Sequence, residues 1–116
     1  MFGFFEKRKF KRLTYNETVT ISKNNNSSSF EAKGDNISEG GIAIKSTFSL
    51  NVGEQVIVEI QHKLYDAPLK LKSQVQHEIK LTNPADTNMI GLKFHKASKN
   101  DNKKLMQLLS ELTRLK

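Results

Sequence analysis

The 116-residue chain contains no cysteine, which removes disulfides, thiol nucleophiles and thiolate zinc sites. It has no run near the roughly 18 apolar residues a membrane-spanning helix needs, and Met1–Glu6 is far too short for a signal peptide, so a soluble, cytoplasmic protein is expected. A phosphate-binding Gly-x-x-x-x-Gly-Lys loop and a nucleophile elbow are both missing. His62, His77 and His95 have no neighbours at metal-ligand spacing, so no metal site is expected. These absences favour a binding module over an enzyme. Arginine is also scarce, at 3 of 19 basic residues, so a position where it replaces lysine points to a need for its planar fork.

What is present amounts to one domain with a modest core, because 36% of the residues are apolar and the chain is short. The strand patterns argue against global disorder. The net charge of +7 is uneven: residues 1–12 carry five basic residues and one acid, residues 96–116 carry six basic and two acidic, and residues 13–95 are net −1. A protein that grips a long polyanion would carry its basic face on the body. The division read from this is a flexible basic segment over 1–12 and a folded unit over 13–116.

Period-two alternation dominates residues 13–95. In Leu69–Leu81 the odd positions are mostly apolar and the even ones polar, which predicts one buried and one wet face, with His77 a hydrogen-bonded core histidine. Further strands are predicted over Tyr15–Ser22, Ser28–Ile37, Ile42–Lys45, around Val56–Ile60 and over Ile90–Phe94. The polar tract Lys23–Ser29 reads as a mobile hairpin loop, and Asn51-Val52-Gly53 and Asn83-Pro84-Ala85-Asp86 read as turns. From Leu105 the period changes: Leu105, Leu108, Leu109, Leu112 and Leu115 predict an amphipathic helix over about 98–115, entered through a capping box of Ser98 and Asp101. Six short strands and one helix predict a mainly β protein, a small antiparallel barrel with a C-terminal amphipathic helix. The helix could cover the barrel or pair with another copy, which leaves monomer and dimer open. Phe2, Phe4 and Phe5 crowd the first five positions and receive no functional assignment.

Two short elements carry the chemistry. Arg8 and Arg12 lie four apart in Lys7-Arg8-Lys9-Phe10-Lys11-Arg12, where a solvated leader and a phosphate- or guanine-binding fork are equally good readings of the pair alone. In Asp35-Asn36-Ile37-Ser38-Glu39-Gly40-Gly41, the side chains of Asn36 and Ser38 face one way on an extended chain and offer an amide and a hydroxyl to a base or phosphate. Gly40 and Gly41 permit positive φ or close approach of a ligand. Taken alone, this second element is an ordinary turn sequence.

In combination and in this order, with Arg12 and Asn36 24 positions apart, the two elements resemble the signature of the PilZ domain family: RxxxR before the first strand and [D/N]xSxxG after the second. The resemblance runs over roughly residues 6 to 115 and takes in Gly53 and Ile90-Gly91-Leu92-Lys93-Phe94. It implies a six-stranded antiparallel split barrel that binds the bacterial second messenger cyclic di-GMP, with no other cofactor. Arg8 and Arg12 would contact guanines and phosphates, Asn36 and Ser38 would hold a guanine, and Gly41 would permit close approach, with Lys7, Gly40 and Gly91 as further candidates. Lys7 stands where many members have a third arginine, which leaves one or two bound nucleotides open. Asn36 stands where many have Asp, which implies a weaker guanine contact.

Few apolar groups in the Arg8–Arg12 segment imply that it is mobile without ligand and wraps over a bound dianion. A chain that is almost all sensor implies an unidentified downstream protein partner. Two alternatives belong to other classes: a PilZ-type protein adaptor that binds no nucleotide, and, less favoured, a basic nucleic-acid binder. The near-neutral middle and the lack of an aromatic stacking platform count against DNA or RNA.

Overall fold

Among the described residues, apolar side chains placed alternately along the chain give seven antiparallel strands, and six of them close on themselves. The computed structural model describes residues 12–23, 29–63, 65, 67–81, 87–95 and 97–114. The expected mobile segment with Lys7 and Arg8, the phenylalanines at 2, 4 and 5, the centre of the polar loop (24–28) and the turn at 83–86 lie outside the described residues. The elements are β1 (Leu13–Thr14), β2 (Thr18–Lys23), β3 (Ser29–Ile37), β4 (Gly41–Ser46), β5 (Gln55–Ile60), β6 (Leu69–Leu81), β7 (Thr87–Phe94) and α1 (Lys99–Arg114). The sheet runs β3-β2-β5-β6-β7-β4 and returns to β3 through a β3–β4 pairing, which is the expected six-stranded antiparallel barrel. Closure leaves those six strands without an open edge. β1 is an extra strand on the C-terminal end of β3, with Leu13 opposite Ile37 and Thr14 opposite Asn36.

The strand expected over Tyr15–Ser22 forms only from Thr18, as β2, and the short β1 precedes it. Between the pairs Thr14↔Asn36 and Thr18↔Lys33, three residues face two, so Tyr15–Glu17 bulges. The bulge keeps its bonds: Tyr15 N–H donates to the Asp35 carbonyl at 3.1 Å and Gly34 N–H to the Glu17 carbonyl at 2.8 Å. A Cβ on Gly34 would sit 2.5 Å from the Tyr15 carbonyl oxygen, so only glycine lets the two chains cross here. On its other edge β3 skips Asp35, pairing Gly34 with Ile44 and Asn36 with Ala43. Both irregularities fall at one corner of the barrel and tip the Asp35–Asn36 pair outward.

β6 departs from its expected alternation for the same kind of reason. The odd residues from Leu69 to Val75 are buried, but the β6–β7 register slips between Val75↔Leu92 and His77↔Gly91, and Gln76 is the extra residue. One added residue moves every later side chain to the opposite face. His77 is therefore exposed and not a core histidine, and Ile79 is 56% exposed. Glu78 now lies opposite core Ile90, and its carboxylate accepts hydrogen bonds from Ser49 Oγ at 2.8 Å and Leu50 N–H at 3.1 Å. Leu50 is thereby fixed in the core.

The core gathers Val19, Ile21, Ile37, Ile42, Ile44, Val56, Val58, Ile60, Leu69, Leu71, Ile90 and Leu92 from the barrel strands. Each such side chain contributes about 1.5–3 kcal/mol when buried. α1 covers the barrel against β6 and β1, with Leu105 and Leu108 entering this core and Leu109 and Leu112 half-buried beside it. Its entry is the expected one: Asp101 N–H donates to Ser98 Oγ at 3.1 Å and Asn102 N–H to the Ser98 carbonyl at 2.8 Å. The Asp101 carboxylate accepts from the Ser98 hydroxyl at 3.0 Å, closing the cap through the side chains. The Asn51–Gly53 turn also forms as expected, with Gly53 at φ 91°.

Candidate functional site

One row of residues crosses five strands on the outer face of the barrel. The pairings His77↔Gly91, Gly91↔Ala43, Ala43↔Asn36 and Asn36↔Thr14 are consecutive, so β6, β7, β4, β3 and β1 each place one residue in line. Neighbouring strands lie about 4.8 Å apart, which sets the backbones of His77 and Asn36 roughly 14 Å apart across the row. Gly91 and Ala43 between them have almost no side chain, and the result is a trough of about 400 Å³ floored by small residues. Arg12, Leu13, Thr14, Asp35 and Asn36 stand along one side, and Met89 and His77 complete the lining among the described residues.

On the Asn36 side the polar groups are chained together. Arg12 Nη1 donates to Asn36 Oδ1 at 2.5 Å, Asn36 Nδ2 donates to Asp35 Oδ2 at 2.8 Å, and Lys45 Nζ lies 3.7 Å from Asp35 Oδ1. Two residues 24 apart in sequence, one from each short element, are thus in direct contact. Asp35 orients the Asn36 amide so that its oxygen faces Arg12. The Asp35 carboxylate is itself held by Lys45.

On the opposite side the His77 imidazole lies across Gly91. A Cβ at Gly91 would come within 2.2 Å of Cε1 and 2.4 Å of Nε2, so the ring occupies the space that the missing side chain leaves. His77 is exposed to solvent in this position.

The other expected ligand residues have structural positions. Ser38 is buried and holds the β3–β4 turn: its N–H donates to the Gly41 carbonyl at 2.8 Å, and its Oγ accepts from Gly40 N–H at 3.2 Å. The Gly40 carbonyl accepts from Phe94 N–H at 2.9 Å. Gly41 permits a close approach, but of protein: a Cβ there would lie 2.2 Å from the Leu92 carbonyl oxygen. Arg12, Asn36 and Gly91 therefore line the trough, while Ser38, Gly40 and Gly41 build the turn behind it and do not line it. Arg8 and Lys7 lie outside the described residues.

Sequence reasoning missed Asp35, Ala43, Met89 and His77. Only the glycine at 91, read together with a bulge it does not itself reveal, carries a signal for the last.

Among the described residues, three other hollows are lined by none of Arg12, Asn36, Ser38 and Gly41. A cleft of about 410 Å³ lies by the α1 N-terminus next to Glu39 and His95, where His95 Nε2 bonds Gln55 Oε1 at 2.7 Å. Among the described residues no His, Cys, Asp and Glu group is arranged to hold a metal ion, and no helix is long and apolar enough to cross a membrane.

Known structures share this architecture. The Bacillus subtilis inhibitor of motility (MotI/DgrA) superposes with a TM-score of 0.76 at 17% identity, covering 96% of this chain and 53% of that one. The PilZ domain of YcgR from Escherichia coli, solved with c-di-GMP, gives 0.71 at 14% identity over 94% of this chain and 93% of that domain. The K. pneumonia MrkH complex with c-di-GMP gives 0.73 at 14% identity over 93% of this chain and 52% of that one. The chain thus spans about half the length of MotI and MrkH, and at such identities the likeness is one of fold. No curated protein matches it in sequence. The profile of the PilZ domain matches residues 6–111, which takes in the arginine pair, the barrel and most of α1, and the chain belongs to the PilZ domain family.

Proposed function

We propose that the outer-face trough binds cyclic di-GMP and that the protein is a receptor for this second messenger, passing the signal to a downstream protein partner. The observation that carries the reading is the Arg12–Asn36 contact at the wall of a small-residue trough. The guanidinium supplies a planar, permanently charged fork for a phosphate or for the O6/N7 edge of a guanine. The Asn36 amide offers both a donor and an acceptor to a base edge once Arg12 turns to the ligand. Arg8, four residues before Arg12 in RxxxR, is the second arginine of this reading. Ser38 and Gly41 act mainly by fixing the turn that sets the angle of Asn36. Complexes of YcgR and MrkH with c-di-GMP in the same fold support the assignment.

Calorimetric titration with cyclic di-GMP at physiological salt tests it. Saturable binding is expected, and Arg12→Ala should weaken it by about 1–3 kcal/mol, roughly 5- to 150-fold. Absence of heat and of thermal shift at high ligand concentration, or an unchanged affinity in Arg12→Ala, would instead leave a protein adaptor.

A further inference from the structure

The trough has a second wall that the two motifs do not account for. His77 reaches it only because the bulge at Gln76 turns the odd residues of β6 outward, and its ring has room only because residue 91 is glycine. A slipped register and a missing Cβ, on two different strands, together place one exposed imidazole in the cleft that holds Arg12. Among the described residues neither ring nitrogen of His77 makes a hydrogen bond, in contrast to His95 on Gln55.

We infer that His77 is a ligand-contacting residue of the trough, donating from its imidazolium form to a phosphodiester oxygen of the bound dinucleotide and so making affinity rise as pH falls. The inference rests on the cyclic di-GMP reading and adds a proton to it. Imidazole is the side chain that changes charge between pH 5 and 8, whereas phosphodiesters stay ionised throughout.

Of the charged residues on the strands around the ring, Arg12, before β1, and Asp35, on β3, line the trough with His77. Lys45 on β4 and Lys93 on β7 belong to the neighbouring rows, opposite Met89 and Gly41. Asp35 is engaged by Lys45 and Asn36, so its charge is already countered. On β6 itself, Glu78 points to the other face and is held by Ser49 and Leu50. A dianion arriving in the trough brings negative charge beside the imidazole and favours its protonated form. By linkage the ligand then binds together with a proton, and tighter at lower pH.

The test is calorimetry with cyclic di-GMP at pH 6 and pH 8 on the wild type, His77→Gln and Arg12→Ala, in buffers of different ionisation enthalpy. The wild type should bind about three- to tenfold tighter at pH 6 than at pH 8 and take up a proton on binding. His77→Gln, which keeps a hydrogen-bonding group but does not titrate, should lose this pH dependence and the proton uptake. In the wild type, the His77 Cε1–H resonance should move on ligand addition, a readout that needs no variant to fold. If the wild type binds and Arg12→Ala is weakened as expected, but His77→Gln matches the wild type at both pH values or the resonance stays put, the inference falls and the trough assignment stands. If the wild type binds at neither pH, both fall.

Discussion

Two buried tyrosines, Tyr15 and Tyr65, have opposite hydrogen-bonding fates. The Tyr65 hydroxyl donates to the Lys104 carbonyl and ties the β5–β6 connection to α1. The Tyr15 hydroxyl is enclosed by the barrel end and has no partner among the described residues. Burial, with smaller contributions from Glu17 and Tyr65, pushes the Tyr15 phenol up to about 12, and burial alone does the same for Tyr65. An unpaired buried hydroxyl costs stability, while a satisfied one contributes about 0.5–1.5 kcal/mol. Tyr15→Phe is therefore expected to raise the thermal midpoint by a few degrees and Tyr65→Phe to lower it by a similar amount. The pH response follows from the same groups. A phenol whose folded pKa is raised keeps its full contribution below its ordinary pKa near 10 and loses it as pH climbs towards 12. Thermal melts at pH 8 and pH 11 should show a loss in the wild type that is smaller in Tyr15→Phe; equal losses would mean that Tyr15 opens to solvent before it ionises.

At the scale of elements, register decides more than residue type does. Gly41 lets β4 approach β7 so closely that a Cβ would meet the Leu92 carbonyl oxygen at 2.2 Å. Gly41→Ala must therefore push β4 away from β7, to which it is hydrogen-bonded, and a loss of roughly 2–3 kcal/mol is expected in denaturant titration. At Gly53 a Cβ would touch nothing, but φ is 91°, so Gly53→Ala should cost only about 1 kcal/mol, from the backbone alone. Equal costs would show that β4 and β7 slide apart freely.

The elements themselves were largely legible in the chain. Leucine spacing and the Ser98–Asp101 pair marked α1, and alternation marked the strands. Bulges were not legible, because nothing about Gln76 or Asp35 as residue types distinguishes them from regular strand positions. One unmarked residue in β6 inverted the faces of His77, Glu78 and Ile79. The site was legible to the same extent: Arg12 and Asn36 could be paired from their motifs, while Ser38 and Gly41 carried the motif's pattern but serve the turn. His77 depended on a slip that only the paired strands reveal.

At the scale of the whole molecule, the charge distribution separates a dinucleotide receptor from a general polyanion binder. The net charge of +7 would by itself suggest nucleic acid, but residues 13–95, which form the barrel strands, are net −1. The Arg12 wall of the trough is nearly self-compensated, with Asp35 between Lys45 and the Asn36 amide. Such a surface can neutralise few phosphates at once. For single-stranded ligands the logarithm of affinity falls with the logarithm of salt by about 0.7 per neutralised phosphate, so two phosphates give a slope near −1.4 and a loss under about tenfold from 50 to 200 mM salt. A strand held through six phosphates would instead lose on the order of several hundredfold over the same range. Titrating cyclic di-GMP and a single-stranded RNA across that salt range is expected to give the shallow slope for the dinucleotide and no competing RNA affinity at 150 mM. A steep slope for RNA with retained affinity at 150 mM would move the functional surface from the trough to the basic ends of the chain. Binding would then survive Arg12→Ala, because no single guanidinium carries a distributed contact.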